Sequence, residues 1–373
     1  MSKPVRQHFI PRSYLNNFSE SMEGKYFIHG KRHDSQQIVR LSTKDICIER
    51  NLYTIPTNDG EKNFDVEHFY ADKVDSVFPT VYTLIKDPNV RTIDFETRLK
   101  IITTALSLYF RTPKFLNIQN NFFERQIKHA FENTTKDEVI ISFLGEEPKV
   151  NRNEVEEIIK ERKEHNRIRF LIQHLQDYEN LVQSKLMDDI SVYHIVDDSE
   201  FITSDNPVII RAFVDPTSPD YDEEEYFKKE INPFEKTNMI HLPLDRKTML
   251  TIIPRADNNV SSLFRRMDIE ILDVLMYNSD IEKNAESWIL GSKNGIEKHI
   301  EDQRSFNVET PENLERVRNY KEKALAFSEL KTLMEKKGLR SAEVKEKVAE
   351  MNSIHHISSD RNFQKILQTV NSL

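Results

Sequence analysis

Through the first 56 residues, apolar positions fall in short alternating runs rather than at helical spacing. "KYFIHG" and "QQIVRLS" flank the polar "KRHDS", which is the pattern of a β-hairpin. "DICIER" and "NLYTIP" continue as strands. Ahead of them, "QHFIPRSYLNNF" puts Pro11 at a helix start, with Tyr14, Leu15 and Phe18 on one side to dock the segment. From residue 64 the period changes. Val66, Phe69, Tyr70, Val74, Val77, Val81, Leu84 and Ile85 recur at three and four, which predicts an amphipathic helix over 64–86. "DPNV" breaks it. A second helix starts near Asp94, runs through Leu99, Ile102, Leu106 and Tyr109, and is ended or kinked by Pro113. "NFFERQIKHAFEN" continues in helical style, and residues 152–187 form a long charged helix that turns apolar in its second half.

Strand patterns return at 191 with "SVYHIV", "EFITS" and "PVIIRAF". "NMIHLPL" and "KTMLTII" make a second hairpin around "DR". Between "PVIIRAF" and this hairpin, residues 214–237 carry three prolines and an acidic run, which predicts an exposed, poorly packed loop. Helices resume at "DIEKNAESWIL", and everything past about 305 is charged and helical. The sum is an α+β fold: a small strand-rich entry, a central helical bundle, an antiparallel sheet and a helical tail. One domain is expected over 1–300. The tail over 301–373 is expected to offer a surface to a protein partner or to a second copy of the chain.

Composition trims the list of functions. Lys plus Arg number 53 against 62 Asp plus Glu, a net charge of −9. Such a chain is no general nucleic-acid or membrane binder, and only a local basic cleft could serve that role. Seven glycines leave no G-x-x-x-x-G-K-[ST] and no G-x-G-x-x-G phosphate loop. The single cysteine, Cys47, rules out an internal disulfide and a multi-cysteine zinc site, and its alternating surroundings predict a buried strand thiol. No run approaches the roughly 20 apolar residues of a membrane span, and no apolar export segment opens the chain. A cytoplasmic location is the expectation.

Four stretches could carry chemistry. In "EFITSDNPVII", a turn between two apolar runs presents Ser204, Asp205 and Asn206. Either Asp and Asn cap their own backbone there, or they face a cleft at a sheet end. No G-x-S-x-G elbow surrounds Ser204, so it is a poor nucleophile. In "LYFRTPKF", Arg111 ends an apolar helical face. It is either a bidentate clamp for phosphate or carboxylate or half of a structural ion pair. His68, Asp72 and Asp75 share a helical stripe that could bind a divalent metal or simply face water, and Glu67 lies just off it. In the opening segment, Gln7, His8 and Arg12 cluster, and His8 could act as general acid or base.

Several of these segments, in this order, resemble the bacterial domain of unknown function 4238 family: "QHFIPRSYLNNF", "NLYT" leading to "DVEHFYADKVDS", "FRTP", "FITSDNPV", "HLPLDRKTML" and "YNSDIEKNAESWI". The resemblance covers roughly 5–300 and leaves the tail outside. Its pattern falls on Gln7, His8, Pro11, Tyr14, Glu67, Asp75, Arg111, Pro113, Ser204, Asp205, Pro207, Pro243, Leu244 and Asn278. It carries no activity with it, but implies that these scattered residues form one shared site.

The chemistry expected of that site is phosphoryl transfer, as a phosphodiesterase or nuclease. His8 moves the proton, with Gln7 beside it in the catalytic set, Arg12 and Arg111 hold phosphate, and Ser204, Asn206 and Asn278 help to bind. Asp205 orients His8 or joins Glu67 and Asp75 around a divalent metal. A toxin or phage-defence role fits by association. The alternatives are a non-catalytic module that senses a nucleotide or partner, and an enzyme on a small nucleotide. The opening segment and the Ser204–Pro207 turn should then share a cleft.

Overall fold

A computed structural model describes residues 6–57, 61–141, 147, 149–212, 235–255, 262–305 and 310–372. The fold is α+β, as the patterning predicts. Both predicted hairpins form. Lys25–Arg32 pairs antiparallel with Ile38–Ser42, and Asn238–Pro243 with Thr248–Ile253. The second hairpin lies within a five-stranded sheet. Its order runs Ile209–Ala212, Asn238–Pro243, Thr248–Ile253, Asp189–Ile195, Phe264–Ile269, and the last strand pairs parallel with its neighbour. A second sheet joins Thr203–Ser204, Trp288–Gly291 and Lys25–Arg32, so residues distant in sequence meet on it. Gly30 sits where this sheet is tightest. A Cβ there would stand 2.9 Å from Leu41 Cδ1 and 3.0 Å from Leu290 Cδ2.

The helical layer differs from the pattern in one respect that matters for the site. The helix expected over 64–86 is interrupted. Asp65–Tyr70 is α-helical, Ala71–Asp75 is a π turn closed by Ser76 N–H on the Ala71 carbonyl at 3.2 Å, and Phe78–Lys86 resumes. One extra residue per turn leaves the apolar spacing readable while rotating the helix beyond it. Phe95–Phe110 starts at Asp94, whose side chain accepts from Thr97 N–H, and stops before Thr112 caps the next helix, Pro113–Leu116. Val155–Lys185 packs across Phe95–Phe110. Between them Tyr53, Tyr70, Phe110, Phe170, His174 and Tyr178 form a ring cluster, with several centroid distances of 4.7–6.0 Å.

Three local expectations need correction. Cys47 is buried, but it precedes the strand Ile48–Arg50 in a left-handed conformation, φ 56°, rather than lying in a strand. "NLYTIP" is mostly turn, with only Ile55–Pro56 extended. The helix expected from "DIEKNAESWIL" begins earlier, as Ile271–Asn284, and Trp288–Gly291 is a strand buried against Lys25–Arg32. Most of the acidic, proline-rich stretch predicted as a loop lies outside the described residues.

Past residue 310 the helices Pro311–Lys337, Ala342–Ser353 and Arg361–Asn371 gather a core of their own, including Leu330, Val344, Met351 and Phe363. No described helix is long and apolar enough to cross a membrane.

Candidate functional site

The opening strand, Arg6–His8, pairs antiparallel with Ile48–Arg50. Residues with positive φ, Cys47 and Asn51, bracket the partner strand. Left-handed conformations cost a non-glycine residue on the order of 1–3 kcal/mol, so the surrounding structure must hold this two-stranded piece in place. Gln7 is fully buried and its Oε1 accepts from Tyr53 N–H at 2.9 Å. His8 is half-buried.

Arg111 is the hub. It is 2% exposed, and its fork donates to both oxygens of Asp75, at 2.6 and 3.4 Å. Nη2 also donates to the His8 carbonyl at 2.6 Å. The guanidinium lies over the Tyr70 ring, 4.6 Å from its centroid, and the Tyr53 hydroxyl donates to the Arg111 carbonyl. Burial opposes its charge, but Asp75 and the two tyrosines outweigh that, so Arg111 is held firmly cationic. The π turn makes this contact: Asp75 is its last residue. Of the two readings open for Arg111, the geometry is that of the structural ion pair. Its fork is occupied inside the protein, which corrects its expected role as a phosphate clamp.

Two titratable side chains beside this hub each keep one unpaired atom. His8 Nε2 and Glu67 Oε2 are buried with no hydrogen bond among the described residues. Burial lowers the His8 pKa, and the charges of Arg12 and Arg111 lower it further against hydrogen bonding at Thr43 and Lys44. His8 is therefore neutral at pH 7. Burial raises the Glu67 pKa, with Arg111 pulling it down and Asp75 pushing it up. Arg12 begins the helix Arg12–Leu15 and is exposed.

The Ser204–Pro207 turn makes a different kind of contact. Asp205 Oδ1 accepts from Glu286 N–H, and Oδ2 accepts from Ser287 and Trp288 N–H, all at 2.8–3.0 Å. Burial raises its pKa while the three amides oppose the rise. Ser204 Oγ accepts from Asn206 N–H at 3.1 Å. Asn206 and Asn284 exchange side chain-to-backbone bonds at 3.1 and 2.9 Å. Asn278 bridges Ile202 N–H and the Glu200 carbonyl. These four residues stitch loops together, so the reading in which Asp and Asn cap backbone is the one observed. The expected metal trio of Glu67, Asp75 and Asp205 is likewise corrected. Asp75 is spent on Arg111 and Asp205 on three amides, and no group of three or more His, Cys, Asp or Glu among the described residues could hold a metal ion. The opening segment reaches the strand ahead of this turn through Tyr14, whose buried hydroxyl lies 2.7 Å from Thr203 Oγ1 and donates to the Pro243 carbonyl at 2.8 Å.

Sequence reasoning missed His174 and Lys114. His174 Nε2 lies 2.6 Å from the Tyr70 hydroxyl in the ring cluster. Its signal was available: Leu171, His174, Tyr178 and Leu181 repeat at three and four on one helical face. Lys114 donates to the Asn284 carbonyl and Oδ1 at 2.7 and 3.1 Å, tying the segment after Pro113 to the Asn206 network.

A family model described as protein of unknown function (DUF4238) matches residues 6–295. No curated protein and no solved structure matches the chain.

Proposed function

We propose, for a chain that belongs to the DUF4238 family, hydrolysis of phosphodiester bonds by an acid–base pair made of His8 and Glu67. The observation that supports it is the Arg111 fork. It grips Asp75 and the His8 carbonyl together, and its charge also acts on both His8 and Glu67. Two buried titratable atoms, His8 Nε2 and Glu67 Oε2, are then left without partners. Unsatisfied buried groups of this kind are costly and call for a functional reason. Neutral His8 accepts the proton of an attacking water as its oxygen bonds to phosphorus. Glu67, whose pKa burial raises, is the group assigned to donate a proton to the departing oxygen. Arg12, exposed next to His8, is the cation free to meet the phosphate. Nucleic acid and small nucleotides are both candidate substrates, and toxin or phage-defence activity is the cellular role this reading suggests.

A second reading, nucleotide binding without turnover, draws on the fact that Arg111 and Asp205 are both consumed by structure. One experiment separates the two. The full chain, His8→Ala and Glu67→Gln are assayed for cleavage of single-stranded RNA, DNA and cyclic dinucleotides, with binding measured in parallel. Loss of turnover by about 10²–10⁴ in His8→Ala with an unchanged melting temperature supports the enzyme. Binding without cleavage by the full chain, weakened in Arg12→Ala, supports the sensor instead.

A further inference from the structure

The acid–base reading leaves unused the seam where the helices past residue 310 meet the edge of the five-stranded sheet. That seam is polar. The Asn362 side chain accepts from Asp268 N–H at 3.0 Å and donates to the Asp268 carbonyl at 2.7 Å, so it stands in for a neighbouring strand. Lys365 pairs with Asp268 at 2.8 Å, and the Tyr320 hydroxyl donates to Asp273 at 2.8 Å. Between these contacts lies a cavity of about 190 Å³.

Its walls are aromatic: Tyr193 and Tyr277 from the family domain, Tyr320 and Phe327 from the helix Pro311–Lys337. Its polar lining is acidic: Asp268, Glu270, Asp273 and Asp360, against one cation, Lys323. Lys323 is spent on Asp360 at 3.0 Å and Lys365 on Asp268. Glu270 and Asp273 form no ion pair among the described residues; they cap the start of the helix Ile271–Asn284, and the carboxylates lining the cavity outnumber its one cation. Tyr277 adds an independent mark. It is 7% exposed and lines the cavity. Its ring already carries one cation, the Arg211 guanidinium, 5.4 Å from the centroid.

An anion would meet carboxylates here, and a neutral apolar guest would leave them uncompensated. A cation meets both the ring quadrupoles and the negative charge. We propose that this cavity binds a small organic cation, an amine or quaternary ammonium group held by Tyr193, Tyr277 and Tyr320 and matched in charge by Glu270 and Asp273. Because its walls come from both sides of the seam, the ligand favours the docked arrangement of the tail over any undocked one.

Choline, putrescine and the uncharged choline isostere 3,3-dimethylbutan-1-ol are titrated into the full chain by calorimetry. Choline or putrescine is expected to bind saturably and raise the melting temperature, while the isostere does neither. Tyr320→Ala should weaken binding about three- to tenfold. Tyr320→Phe, which keeps the ring and removes only the hydroxyl bond to Asp273 Oδ1, should retain binding, and the circular dichroism of Tyr320→Ala shows whether its loss is loss of fold. Absence of saturable binding by both cations overturns the proposal. So does equal binding of the isostere, or unchanged affinity in a folded Tyr320→Ala.

Discussion

At the scale of single residues, burial decides what each ionisable group can do. His174 is fully buried among rings and bonds to Tyr70, and burial, reinforced by the Arg111 charge, lowers its pKa to about 3. In the unfolded chain it titrates near its ordinary value of 6.5. Between those values the unfolded state binds a proton that the folded state refuses. Stability is therefore fully present above about pH 6.5 and drains away as pH falls toward 3, by at most about 1.4 kcal/mol per pH unit for this group. His174→Gln keeps a polar side chain but cannot titrate. Its unfolding free energy, from urea melts at pH 7.5, 6 and 5, should lie closer to the wild-type value as the pH falls. Parallel curves would show that His174 takes up its proton as readily in the folded protein as in the unfolded chain. The same logic separates Arg111 from Arg12. Both read as anion clamps in sequence, because charge and helix position are all that a one-dimensional pattern reports. Only the fold shows that Asp75, 36 positions away, has already taken the fork of Arg111.

At the scale of elements, the hairpins and long helices were legible because their periods of two and of three-to-four are properties of neighbouring residues. The π turn, the strand Trp288–Gly291 and the left-handed Cys47 were not legible. Each is set by a partner far along the chain: Asp75 by Arg111, Trp288–Gly291 by Lys25–Arg32, and Cys47 by Phe9, whose N–H donates to its carbonyl at 3.0 Å. The motif around Ser204 was visible in sequence, but its purpose was not, because its partners are backbone amides and any residue supplies those. Asp205 pins the start of Trp288–Gly291 by accepting from three consecutive N–H groups. Asp205→Ala strands all three. With each lost hydrogen bond worth on the order of 1 kcal/mol net, the cost should be about 2–4 kcal/mol. Hydrogen exchange should accelerate at residues 286–288 before it does in Asn238–Pro243. Asp205→Asn, which keeps one strong acceptor, should lose less. An unaltered exchange rate at 286–288 in Asp205→Ala would mean that the carboxylate does not hold this strand.

At the scale of the whole molecule, two apolar cores share one chain. The main core draws its buried residues from Phe9 through Ile296, and the second, including Leu330, Val344, Met351 and Phe363, lies wholly past residue 325. No buried side chain is common to both, so removing the second should leave the first intact. What it removes is cover. Phe264–Ile269 is the edge of the five-stranded sheet. Residues 91–93 shield its first end, through Phe264 N–H on the Arg91 carbonyl at 2.8 Å and Ile93 N–H on the Ser262 carbonyl at 2.9 Å. The Asn362 amide shields its other end at Asp268. A chain ending at Ser305 would expose those Asp268 backbone groups, and with them Met267, which is already 37% exposed. An open edge strand recruits other chains through its unpaired N–H and C=O groups. The truncated protein should therefore keep its circular dichroism and melt within a few degrees of the parent. By light scattering it should self-associate as concentration rises, and Met267→Lys should suppress that association. If the truncated chain instead loses its fold at all concentrations, the helices past residue 310 are part of the folding unit and not a cover upon it.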